Sequence, residues 1–194
     1  MEPIVEKILD DNFREIIDQS AKRRFKDISL ATKDYLAKML TSFASPEKLF
    51  KEYHFGAVSG YGLEPITFQL ANCLESESTS IHASRLRNLG DHCLFLTGYL
   101  YDFVRKRGKS QVDFHYQVGS SAYLQLGQSL ENNTFTELGD RFVNLSTLIG
   151  DLHLPQLEGK KLFDLYEQWL ITKDERYASL LLAKNFTLTD KKII

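Results

Sequence analysis

Cys93-Leu-Phe-Leu-Thr-Gly-Tyr-Leu-Tyr101 is apolar on nearly every side and is entered through the adjacent polar pair Asp91 and His92. In a water-soluble chain, only a segment wrapped by other elements can be hydrophobic all round. The stretch therefore marks the middle of the fold. Around it, His82, Leu86, Leu89, Cys93, Leu96, Leu100 and Phe103 step by alternating intervals of four and three, the spacing of a helical seam packed on a neighbouring helix. Gly108 stops the pattern after Arg105-Lys-Arg107, cations that complement the carboxyl end of a helix. A central helix is predicted over about residues 81–107.

Beyond Gly108 the rhythm resumes in Val112, Tyr116, Gly119, Tyr123, Leu126 and Leu130, which predicts an antiparallel neighbour over about 111–130. Residues 112–118 also alternate strictly apolar and polar, the mark of a half-buried strand. Helix is preferred because the four-and-three rhythm continues past residue 118.

The remaining segments read as helices too. Pro3 with Ile4, Ile8, Phe13, Ile16 and Ile17 predicts one to about residue 18, followed by a charged connection over 21–27. Ser29 caps a second whose face is Tyr35, Leu36, Met39, Leu40 and Phe43, and Ser45-Pro46-Glu47 starts a short one ending at Tyr53. The glycine-rich stretch 55–63 is a loop, and Pro65 opens a helix through Leu74. Thr134 and Glu137 have capping-box spacing for a helix burying Leu138, Phe142, Leu145, Leu148 and Ile149 up to Gly150. Two further helices come after it, one around Leu162–Leu170 and one capped by Asp174, with residues 186–194 a frayed tail. With neither repeat nor linker, residues 1–194 form a single all-α domain, a multi-helix bundle about the central helix.

Composition excludes several function classes. A chain of 194 residues, 43% hydrophobic and 26% charged, can bury roughly 70% of its unfolded surface as one domain. Net charge is −2, too small a global field to draw in nucleic acid or an anionic membrane. The apolar run is too short for the roughly 20 residues of a membrane span. Cys73 and Cys93, without a C-x-x-C, suit reduced buried thiols, and the acidic amino terminus lacks the order of a secretory signal, so a cytoplasmic location is expected. The three glycosylation sequons at Asn132, Asn144 and Asn185 are then chance matches.

No Glu-x-x-His or His-x-x-x-His pair occurs, so neither a metal nor another cofactor is expected. The basic clusters at 22–26 and 105–109 sit at helix boundaries, and the aromatics do not interleave with them as a nucleic-acid surface requires. No catalytic residue is assigned. The sharper candidate is a polar pocket in which Asp91 and His92 meet Asp113, His115, Tyr116 and Tyr123 across the hairpin, with Arg85 and Arg87 nearby. A buried carboxylate beside an imidazole would shift both proton affinities, as acid–base sites require. The plainer reading, preferred, makes Arg87 and Asp91 a solvent-exposed i,i+4 pair and His92 an edge-of-core side chain. Gly90, Gly98 and Gly119 fall inside helices at about 1 kcal/mol each relative to alanine, so close packing or room for a ligand has to explain them.

In Leu89-Gly-Asp-His-Cys-Leu-Phe-Leu-Thr-Gly98, Val112-Asp-Phe-His-Tyr-Gln-Val-Gly-Ser-Ser-Ala-Tyr123 and Trp169-Leu-Ile-Thr-Lys-Asp-Glu-Arg176, the chain resembles a family of uncharacterised bacterial helical proteins. The resemblance covers about half the chain and implies no activity and no site residue. His92 and His115 stand where that pattern has a small polar residue and a tyrosine.

These readings point to a non-enzymatic cytosolic protein that binds a protein or small ligand through a cleft beside the hairpin. The alternative is a small-ligand-binding or metal-dependent enzyme of haem-oxygenase-like helical architecture, an architectural likeness only. A homodimer is among the assemblies the sequence allows.

Overall fold

A computed structural model describes residues 3–25, 27–43, 65–75, 79–153 and 175–183. Within them the chain forms α1 (Pro3–Arg24), α2 (Leu30–Phe43), α3 (Ile66–Leu74), α4 (Thr79–Gly98), α5 (Tyr101–Arg105), α6 (Lys109–Leu130), α7 (Asn133–Asp140), α8 (Phe142–Gly150), a 3-10 turn (Asp151–His153) and α9 (Glu175–Ala183). The described residues contain no strand, so the alternating stretch 112–118 is part of a 22-residue helix. The expected helix at 46–53, the loop at 55–63, the helix around 162–170 and the tail at 186–194 lie outside the described residues. None of the described helices is long and apolar enough to cross a membrane.

The centre is α4, which packs on α6, α8 and α3. Every residue from Leu89 to Gly98 is buried except the half-buried Phe95. Each fully buried leucine there contributes about 1.5–3 kcal/mol relative to an exposed one. The partners of Gly90 and Gly119 fix the direction of the α4–α6 pair: Gly90 faces the Tyr123 ring, and Gly119 faces the Cys93 side chain. Residue numbers rise on one helix as they fall on the other, so the hairpin is antiparallel as expected.

The central helix is not continuous to residue 107. The Tyr99 and Leu100 amides both donate to the Phe95 carbonyl, at 2.8 and 3.2 Å, and Leu100 leaves helical geometry at φ −106°, ψ 28° before α5 begins. This break re-aims α5. Val104 turns inward at 3% exposure while Phe103, expected in the seam, stands out at 52%. Close packing accounts for the glycine at this end, since a Cβ on Gly98 would lie 2.8 Å from Ile149 of α8. Gly108 then joins α5 to α6 at φ 113°, a left-handed conformation that glycine adopts without penalty.

Other boundaries also differ from expectation. The first helix runs on to Arg24 because Ala21 continues its buried face with Ile17 and Ser20, and alanine, lysine and arginine are strong helix formers. Lys33 reaches Asp18 at 2.8 Å and Arg14 pairs with Asp34, tying α1 to α2. The segment expected as one helix from Thr134 to Gly150 is two, broken at Arg141 (φ −105°, ψ 18°).

The interior glycines settle a contest between two magnitudes. Alanine in place of a mid-helix glycine gains about 1 kcal/mol of helix propensity, whereas overpacking a filled core costs about 1–3 kcal/mol. A Cβ on Gly119 would fall against the Phe142 ring and 2.6 Å from the Cys93 Cβ, on two different helices. Gly119→Ala is therefore expected to destabilise by about 2 kcal/mol in urea unfolding. Phe142→Leu in that background should recover part of the loss as a favourable coupling energy. A stabilised Gly119→Ala protein would contradict the close approach.

Candidate functional site

Three side chains from three helices converge on one carboxylate, that of Asp91. Arg87 and Asp91 share a face of α4 because they are i,i+4. Tyr35 arrives from α2 and Tyr123 from α6, and each hydroxyl donates to Asp91 Oδ1 at 2.6 Å. That length is normal for an O–H donor on a charged oxygen, a bond roughly twice as strong as a neutral one. Arg87 Nε donates to the Tyr35 hydroxyl at 3.2 Å and stands 3.7 Å from Asp91 Oδ2, with its guanidinium 5.7 Å from the Tyr35 ring centre.

Asp91 is not the solvent-exposed half of a helix pair. It is 0% exposed, as is Tyr123. Gly90 is what admits Tyr123, since a Cβ there would lie 2.7 Å from the ring. Phe135 of α7 closes the cluster, edge-on to Tyr35 at 5.3 Å and stacked on Tyr123 at 6.2 Å between centroids. Burial, reinforced by the Asp91 charge, pushes the Tyr35 phenol well above its ordinary value. It stays a donor throughout the physiological range.

The other residues expected in this pocket are elsewhere. His92 points away from Asp91, its Nδ1–H donating to Gln69 Oε1 of α3 at 3.0 Å and its ring 5.7 Å from Phe43. Burial lowers its pKa to about 4, so it is neutral near pH 7. Arg85 bonds the Asn72 carbonyl at the carboxyl end of α3, where its positive charge is favoured, and His82 bonds the Cys73 carbonyl beside it. His115 Nδ1–H donates to the Gln111 carbonyl at 2.6 Å, Tyr116 lies edge-on to Phe142 at 6.3 Å, and Asp113 is exposed. The antiparallel register sets Asp91 beside Tyr123, which leaves Asp113 and His115 toward the far end of the hairpin. Of the eight residues read from sequence, Arg87, Asp91 and Tyr123 come together. Tyr35, the fourth member, was read only as part of a helix face.

A second polar centre joins α2 to α7. Glu137 does not close a box with Thr134, because Asn132 is the cap of α7, accepting from the Thr134 amide at 2.9 Å. The glutamate instead accepts from the Ser29 hydroxyl at 2.5 Å, the Ser29 amide at 3.2 Å and the buried Thr32 hydroxyl at 2.6 Å. Partial burial opposes ionisation there, but these bonds and Arg141 outweigh it and hold the carboxyl below its ordinary value. Glu137→Ala, which strips the Ser29 and Thr32 donors of their charged acceptor, is expected to cost about 2 kcal/mol. A depressed carboxyl contributes stability above its unfolded pKa of about 4.3 and loses it as pH falls through the folded value. The wild-type minus variant difference in unfolding free energy should therefore shrink below about pH 4. A pH-independent difference would assign the effect to packing.

Among the described residues no group of three or more histidine, cysteine, aspartate or glutamate side chains is placed to hold a metal ion. Cys73 and Cys93 are free and buried, and burial raises both thiols above their ordinary value, away from the reactive thiolate. What the Asp91 cluster does is hold three helices together around one charge. No family model, curated protein or solved structure matches the chain.

Proposed function

We propose that the chain is a non-enzymatic cytoplasmic binding protein that engages a partner chain beside the α4–α6 hairpin. The observation carrying this reading is the withdrawal of Asp91, which is fully buried and already engaged by Tyr35, Tyr123 and Arg87. A general acid or base has to come within hydrogen-bond reach of the proton it moves. Here Asp91, His92, Cys93 and Tyr123 are each at most 1% exposed. The room made by Gly90 and Gly119 is taken by the Tyr123 and Phe142 rings, which favours packing over a ligand chamber. Reduced, buried cysteines support a reducing compartment.

Native mass spectrometry of the protein as purified, with metal analysis, tests the reading. The expected result is the bare chain mass or a simple multiple of it. A retained small molecule or near-stoichiometric iron overturns it in favour of a ligand-carrying or metal-dependent helical bundle.

A further inference from the structure

A second surface stands apart from the Asp91 cluster, at the turn between α5 and α6. Arg105, Lys106, Arg107 and Lys109 fall within five successive positions around Gly108, and Lys106, Arg107 and Lys109 are exposed. None of the four makes an ion pair among the described residues. The acids flanking the turn in sequence, Asp102 and Asp113, pair with none of them. Asp102 accepts from Tyr177 at 2.7 Å and lies 3.8 Å from Arg176, while Asp113 is exposed one turn into α6. In a chain of net charge −2, this tip concentrates positive charge and leaves the remainder more negative. It is also firmly mounted, because Val104 and Val112 on either side are each 3% exposed.

Phe103 is the second observation. It is 52% exposed among these cations, and the Arg107 guanidinium lies 3.7 Å from its ring centre while donating to the Phe103 carbonyl at 3.3 Å. A nucleic-acid base would have to compete with that arginine for the ring face it covers. A bilayer makes no such demand, since the ring edge can enter the acyl boundary while the guanidinium stays with the phosphates.

We propose that the α5–α6 turn is a docking tip for an anionic lipid surface, with Arg105, Lys106, Arg107 and Lys109 meeting the headgroups and Phe103 inserting beside them. The cations act locally, within a Debye length of the membrane, so the small net charge of the whole chain does not oppose them.

Co-sedimentation of the full chain with vesicles tests this. Binding is expected with phosphatidylcholine vesicles containing 30% phosphatidylserine, not with pure phosphatidylcholine, and should weaken as salt rises from about 0.1 to 0.5 M. Each cation replaced by glutamine should lower partitioning about five-fold, so the quadruple variant should not pellet. Phe103→Ser should lose about ten-fold. Lys22→Gln with Arg23→Gln, at the other basic cluster, should change nothing. All these positions are exposed except the half-buried Arg105, and unchanged helical circular dichroism verifies folding. The proposal is overturned by no binding to anionic vesicles, by equal binding to neutral ones, or by binding that survives the quadruple variant. It is equally overturned if the Lys22 and Arg23 variant loses binding, or if a single-stranded oligonucleotide is held more tightly at the same salt.

Discussion

Asp91→Ala is expected to destabilise the protein by about 3–5 kcal/mol, the range for removing one partner of a buried charged network. The size reflects the groups left unpaired. Two phenolic hydroxyls that each donate at 2.6 Å would lose their acceptor, and Tyr123 has no access to water in its place. An orphaned buried donor costs about 1–3 kcal/mol, and the vacated volume adds to it. Asp91→Asn keeps an oxygen for the hydroxyls while giving up the charge, so it should cost about half as much. Tyr123→Phe removes one donor and leaves Tyr35 and Arg87 on the carboxylate, for about 1–2 kcal/mol. Urea unfolding with unchanged m-values reads all three. Were Asp91 and Arg87 merely a surface ion pair, Asp91→Ala would change stability by about 0.5 kcal/mol or less. A measured loss under about 1 kcal/mol would sink the buried cluster.

The same cluster marks the reach and the limit of sequence reasoning. Periodicity identified Leu86, Leu89, Cys93 and Leu96 as the inner face of α4, since helix geometry converts spacing directly into direction. The antiparallel register was legible as well. Asp91 and Tyr123 lie at nearly equal chain distances from Gly108, whereas Asp113 and His115 come only one to two turns after it, so pairing Asp91 with Tyr123 needed only that comparison. Tyr35 was out of reach, because nothing local says which residue of a distant helix meets Asp91. Capping was misread for a related reason. Asn132 and Thr134 are both good caps, and the Glu137 carboxylate takes the Ser29 and Thr32 donors, of which Ser29 was itself visible as the start of α2. The break at Leu100 left no mark in the sequence, because the four-and-three rhythm runs through it unchanged.

Acidification from pH 7 to pH 4 is expected to remove about 3 kcal/mol of stability through His92 alone. In the unfolded chain its imidazole titrates near 6.5, whereas burial lowers the folded value to about 4. Between those values the unfolded state binds more protons than the native state, so stability rises with pH across the window and is flat outside it. The lowered value means that the fold favours the neutral ring, and lowering the pH weakens the fold by pulling protons onto the unfolded chain. At about 1.4 kcal/mol per unit, a gap of about 2.5 units gives about 3.5 kcal/mol in full, of which about 3 is lost by pH 4, where the native ring is half protonated. Glu137 acts with the same sign but begins below about pH 4.3, so the two contributions separate on the pH axis. His92→Gln should flatten the profile between about pH 6.5 and 4.5 and leave the lower limb intact. A proton resonance of the His92 ring that titrates near 6.5, the ordinary value, in the folded protein would show that water reaches it. That outcome would remove the rigid packing of α4 on α3 and Phe43, from which the lowered value arises.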